Sequence, residues 1–162
     1  MVGKCTFIYL GTIYIAYGYT DGIVVGYIKI DSITTLQLVR EKFDTKINKL
    51  DIKNGFVLGI NDCPLFGSDG EIPKDRLIKA TLKIKDKSYN LQVDNMYNPW
   101  IGDNLNVDFF KIIHSGENHH LLKGVFSDGA GTYAAQWLIE WNSSIRDIIT
   151  KDELIIESYF QK

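Results

Sequence analysis

Ser127–Trp141 reads SDGAGTYAAQWLIEW, a small-residue turn followed by an alternating, aromatic-rich run. Gly129 and Gly131 permit positive φ or a close approach of another backbone. After them the pattern alternates: Trp137, Ile139 and Trp141 on one face, Gln136, Leu138 and Glu140 on the other. That is a turn at Asp128–Gly131 feeding a half-buried strand. Leu121–Phe126 is the partner strand, and Asn142-Ser143 makes a tight turn into a further strand, 144–149. Ser127 does not sit in the G-x-S-x-G order of a nucleophile elbow. Asp128-Gly129-Ala130-Gly131 lacks both the Walker lysine and the G-x-G-x-x-G pattern, so it is a hairpin loop rather than a phosphate cradle.

Working outward, residues 79–93 carry the cleanest second hairpin. Ala80, Leu82 and Ile84 alternate with Thr81, Lys83 and Lys85, and after Asp86-Lys87 the residues Tyr89, Leu91 and Val93 alternate with Ser88, Asn90 and Gln92. One face is apolar and one is wet, as in an antiparallel sheet covered on one side. Residues 5–30 read as a hairpin turning at Asp21-Gly22, because both positions tolerate positive φ. Asn54-Gly55 precedes a short strand at 56–60, and Leu105–Ile113 reads as another strand. Pro64, Gly67, Gly70 and Pro73 make 61–74 a loop.

Residues 32–47 change period. Leu36, Val39, Phe43 and Ile47 recur at helical spacing, extended by Leu50, with Asp31 or Ser32 as cap. A short helix closes the chain, with Thr150 and Glu153 at capping-box spacing. The expected architecture is therefore α+β: one domain over 1–162, an antiparallel sheet rich in hairpins with about seven to nine strands, and two or more packed helices.

A chain of 162 residues, 45% hydrophobic and 23% charged, buries a core without disulfides or metal. Cys5 and Cys63 have no CxxC spacing and read as reduced thiols of a cytosolic protein. The amino-terminal apolar run is broken by Gly11, Gly18, Thr20 and Asp21 and reads as strand rather than signal or membrane span. The net charge of −2 argues against an overall basic face for nucleic acid. It is uneven: residues 1–98 hold 13 basic and 11 acidic side chains, residues 99–162 hold 5 and 9. An acidic second half steers a basic partner.

Four groups of residues invite chemistry. His114, His119 and His120 lie near Asp108 and Glu117 and can support metal binding or acid–base work. Adjacent histidines face opposite sides of a strand, so His114 and His120 share a side only if the loop between them folds back. Their spacing matches no zinc signature, and no metal or cofactor is expected. The amino-terminal tyrosines, Tyr17 and Tyr19 among them, can stack on bases, but basic residues are not interleaved with them. Lys79, Lys83 and Lys85 form an exposed basic face that solubilises a sheet. Of the tryptophans, Trp137 belongs to the core, while Trp100 and Trp141 are the candidates for exposure and interface anchoring.

The compact acidic chain, the hairpin layout and SDGAGTYAAQWLIE at 127–140 resemble small bacterial immunity proteins, including those of contact-dependent growth inhibition systems. The resemblance implies a cytoplasmic, non-enzymatic protein that binds a cognate toxin domain, often a basic nuclease, and covers its active site or substrate groove. The expected contact residues are Trp100, Asp103, Asp108, Glu117, Asp128 and Trp141. The alternatives are a small hydrolase using the histidines at 114–120 and a single-stranded nucleic-acid-binding domain.

Overall fold

A computed structural model describes residues 6–10, 13–20, 22–101 and 105–160, with the side chains of residues 6–20 outside the description. The strands are β1 (Thr6–Leu10), β2 (Ile13–Thr20), β3 (Ile23–Lys29), β4 (Thr34–Lys42), β5 (Leu50–Lys53), β6 (Phe56–Ile60), β7 (Cys63–Pro64), β8 (Asp75–Ile84), β9 (Lys87–Leu91), β10 (Phe110–His114), β11 (His119–Phe126), β12 (Tyr133–Glu140) and β13 (Ser143–Thr150). One α-helix, α1 (Glu153–Phe160), follows among the described residues. The strands form a six-stranded sheet in the order β1-β2-β3-β4-β8-β9, a four-stranded meander β10-β11-β12-β13 and a small sheet β5-β6-β7. The fold is therefore β-rich, and the expectation of an α+β domain with two or more helices is corrected.

The two larger sheets pack face to face. Ile28, Leu36, Leu38, Leu82 and Leu91 of the first meet Leu122, Phe126, Tyr133, Trp137 and Ile139 of the second in one buried cluster. Phe126 is its hinge: it stacks on Tyr133 at 5.4 Å and meets Phe110 and Trp137 edge-on. Tyr133, fully buried, donates its hydroxyl to the Tyr97 carbonyl at 3.2 Å. The Trp137 Nε1–H donates to the Gln92 carbonyl at 3.0 Å. Both buried polar groups are thus satisfied, and both bonds tie the second sheet to the first. The small sheet builds a second cluster from Phe43, Val57, Ile60, Leu65 and Tyr97. Helix α1 lies on the outer face of the meander, where Tyr159 covers Val125 and Ala134.

The expected helix at 32–47 is the main error. Thr34, Leu36 and Leu38 are each about 1% exposed, a period of two. The helical stripe requires ignoring Thr34 and Leu38. Thr34, Thr35 and Val39 are β-branched and favour strand. β4 also pairs along its length with β3 on one side and β8 on the other, and a helix would forfeit both ladders. The bulge between Val39 and Arg40 in the β8 ladder puts its extra residue, Ile78, on β8, so Leu77 is buried out of step with Ala80; Phe43, beyond the end of β4, joins the second cluster, while Ile47 is 70% exposed.

Smaller shifts follow the same logic. The β8–β9 turn sits at Lys85-Asp86, one residue early, with Lys85 at φ 52°. Val107–Phe109 forms a 3-10 turn ahead of β10 instead of strand. The cap of α1 is Asp152, whose Oδ1 accepts from the Leu154 and Ile155 amides at 2.9 and 3.4 Å, so the Thr150–Glu153 box does not form. Cys63 carries a free thiol, and Cys5 lies outside the described residues. Among the described residues no helix is long and apolar enough to cross a membrane.

Candidate functional site

The meander has two ends. Antiparallel pairing puts the β11–β12 turn at one and the β10–β11 and β12–β13 turns at the other. Eight paired residues, seven steps of ~3.4 Å, separate them by roughly 24 Å. The proposed contact residues divide between the two. Asp108 and Asp128 lie at the first end, Glu117 and Trp141 at the second. Trp100 also belongs to the first end, and Asp103 lies outside the described residues. The register thus places Asp108 and Asp128 at the opposite end of the meander from Glu117 and Trp141.

The first end carries a cleft of about 510 Å³. Three loops build it, around Gly67, Asn98 and Ser127, and each has a residue in the left-handed region: Gly67 at φ 98°, Asn98 at 40° and Ser127 at 62°. Gly67 is required there twice over. Its φ favours glycine, and a Cβ would collide with the Tyr97 carbonyl oxygen. The Gly67 carbonyl accepts from Asn98 Nδ2 at 2.7 Å and from Ser127 Oγ at 3.3 Å, so one oxygen gathers all three loops. Asn98 Oδ1 in turn accepts the amides of Lys74 and Asp75. Ser127 is thus a buried structural hydroxyl.

Within the cleft, Asp69, Glu71, Asp75 and Asp128 face Arg40 and Lys74. Arg40 is held on both sides. Its guanidinium lies 3.8 Å from the centroid of the Trp100 ring and donates to Asp75 Oδ2 at 2.9 Å. The cation covers Trp100, which is only 3% exposed, so the expected exposed anchor is a buried platform. Asp75 is paired to Arg40, and Asp69, Glu71, Asp128 and Lys74 line the rest of the cleft. The cleft continues past Ser68 and Asp69 to β6, where Phe56 and Leu58 are 59% and 53% exposed. Phe56 rests on Gly70, where an added Cβ would come within 2.7 Å of its ring. An acidic hollow therefore adjoins an apolar ridge.

The second end carries a pocket of about 590 Å³ with Ile33, Ile84 and Tyr89 as apolar wall and His114, His120, Glu117, Lys85 and Lys87 as polar rim. The loop does fold back. His114 and His120 are direct partners across β10–β11, and their Nδ1 atoms are 2.8 Å apart. His114 Nε2 lies 2.9 Å from Asp31 Oδ2, which reaches it from the turn between β3 and β4. Burial pushes the His120 imidazole below its ordinary value, with the charge of His114 adding to this, while a bond to the Glu117 backbone pulls the other way. For Asp31 burial acts upward, but the bonds from His114, the Ile33 amide and Thr34 outweigh it and hold the carboxyl below the usual range. The nearest hydroxyl, Thr34 Oγ1, is 3.4 Å from His114 Nε2 and buried. His119 points the other way and meets Glu140 at 3.7 Å.

Trp141 is 63% exposed, as expected of an anchor, but for a different reason. The β12–β13 turn is Trp141-Asn142, and φ 54° at Trp141 swings its ring off the face that holds Trp137 and Ile139. Its backbone is fixed: the amide donates to Asn118 O, and the carbonyl accepts from Tyr89 Oη. The tyrosines of a base-stacking reading, Tyr17 and Tyr19, have side chains outside the description. On β8 the lysines Lys79 and Lys83 are exposed, and Lys87 Nζ donates to Asn118 Oδ1.

Sequence reasoning missed Asp31 as a partner, and also Arg40 and Asp75. Asp31 and His114 are 83 residues apart, and Arg40 and Asp75 are 35 apart. No local spacing carries such pairs. No protein-family model matches this chain, and neither a curated protein nor a solved structure matches it.

Proposed function

We propose that this is a non-enzymatic, cytoplasmic immunity protein that binds and neutralises a basic toxin domain, a nuclease by the resemblance of residues 127–140. The observation that carries the reading is the composite surface at the first end of the meander. There an acidic hollow with Asp69, Glu71 and Asp128 adjoins, through Ser68 and Asp69, the exposed Phe56 and Leu58, with Lys151 beside the junction. An apolar anchor beside a charged hollow is the anatomy of a specific protein interface. Its charge suits a partner that presents lysine or arginine from a phosphate-binding groove. Of the six expected contacts, Asp128 and the buried Trp100 contribute here, the first by charge and the second by holding Arg40 in place.

The test is co-expression with the toxin domain encoded beside the gene, followed by calorimetry on the purified pair. Phe56→Glu should weaken binding at least 100-fold, since a central aromatic anchor is worth about 3 kcal/mol or more. Asp128→Lys should slow association and make it less sensitive to salt. Full protection by Phe56→Glu together with Asp128→Lys would remove this face from the reading.

A further inference from the structure

The histidine pocket has a use that does not depend on the partner. We propose that His114 and His120 form the core of a binding site for a divalent first-row transition metal ion, zinc foremost, with Glu117 recruited as a third ligand.

The proposal starts from the hydrogen-bond inventory. A carboxylate only accepts, so the 2.9 Å contact between His114 Nε2 and Asp31 Oδ2 places a proton on Nε2. A neutral His114 then presents a bare lone pair at Nδ1. That lone pair faces His120 Nδ1 at 2.8 Å, with the rings at 83°. Two imidazole nitrogens at this distance hold one proton between them, as an N–H···N hydrogen bond, or, once that proton leaves, a metal ion. Hydrogen bonding of a ring N–H to a carboxylate is also the usual outer support of a metal-bound histidine, because it fixes tautomer and orientation and raises basicity. Asp31 supplies that support from the other sheet.

The geometry needs a small adjustment. Metal–nitrogen bonds of about 2.0–2.1 Å at a tetrahedral angle set the nitrogens about 3.3 Å apart. The pair must open by about 0.5 Å, which modest χ rotations supply. Among the described residues no group of three or more His, Cys, Asp and Glu side chains is placed so that it could hold a metal ion, so the third ligand has to move in. The site is thus two imidazoles set in advance and a third ligand brought in. Glu117 lines the same pocket, is exposed and sits in the short turn joining the two histidine strands. Imidazole with carboxylate and water suits zinc, copper or nickel rather than magnesium or calcium.

The experiment is calorimetric titration of the chelator-treated full chain with zinc chloride, repeated with cobalt to read its visible absorption. One equivalent should bind, with tetrahedral cobalt bands, and magnesium should give no heat. His114→Ala and His120→Ala should each weaken zinc at least 10-fold. Asp31→Asn should weaken it 10- to 100-fold, in the range of outer-support losses, and Glu117→Gln should weaken it by less. His119→Ala should leave it unchanged. Far-ultraviolet circular dichroism of each variant separates lost binding from lost folding. If His114→Ala does not fold, His114→Gln carries the same test. The proposal is overturned by the absence of saturable binding below 100-fold excess zinc, or by folded His114 and His120 variants that bind like the parent.

Discussion

The two ends of the meander solve opposite problems with the same sheet. The cleft end is made of long loops pinned by buried polar atoms: one carbonyl, Gly67 O, receives side chains from two other loops. The histidine end is made of tight turns, and its ionisable groups face one another directly across strands. The first arrangement places Asn98 and Ser127 in the left-handed region, where Gly67 alone sits without cost, and gathers three loops on one oxygen that holds the hollow in shape. The second has left-handed positions of its own, at Lys85 and Trp141, but its ionisable groups meet across a strand pair and not through one shared backbone oxygen.

The comparison breaks most readily at Gly67. Gly67→Ala would force a Cβ onto the Tyr97 carbonyl and should cost about 2–4 kcal/mol in urea denaturation. Gly129→Ala, in the turn after Ser127, has positive φ but open space around its Cβ and should cost about 1 kcal/mol. Equal losses would refute the collision as the cause. Next comes Asn98→Ala, which orphans the Lys74 and Asp75 amides and should cost about 2 kcal/mol. Hydrogen exchange should quicken at 66–74 and 127–131 and stay unchanged at 114–120. Faster exchange at both ends would mean that the ends are not independent.

The helix sharpens the comparison further, since it braces the cleft end. Burial raises the Tyr159 hydroxyl to about 12. Its folded value thus lies above its unfolded one. The stability it contributes is complete below pH 10 and lost as pH rises toward 12. The loss should be about 1–2 kcal/mol after allowance for water near the hydroxyl. It is read as the difference between wild type and Tyr159→Phe, because other tyrosines and lysines titrate there too. A difference flat across that range would show that Tyr159 ionises freely.

Much of this was legible where contacts are local. The meander strands, the β8–β9 hairpin and the closing helix follow from period and turn chemistry within about a dozen residues. Residues 32–47 were not legible, because Leu36 belongs to both a helical stripe with Val39, Phe43 and Ile47 and a strand face with Thr34 and Leu38, and the neighbouring ladders choose the second. The sites were legible as single residues and not as sets. His114 and His120 are close in sequence, yet the carboxylate that orients them comes from the other sheet. Trp100 was read as exposed because it follows Pro99 in a loop, and nothing local announces that Arg40 will lie over it.

The smallest expected effect is the most discriminating for the histidine end. Trp141 makes an edge-on ring contact with His119 at 6.1 Å and is otherwise open to water. Its structural work is done by its backbone, which Asn118 and Tyr89 hold. Trp141→Ala removes none of those bonds. It loses one exposed ring and a left-handed backbone position that tryptophan and alanine occupy at similar cost. The change in stability should stay within about 0.5 kcal/mol. Trp141→Gly should be neutral or stabilising, since glycine relieves the positive φ. A loss above about 2 kcal/mol in Trp141→Ala would mean that the ring is a covered part of the fold. Unchanged stability with weakened toxin binding would move the recognition face to this end of the sheet.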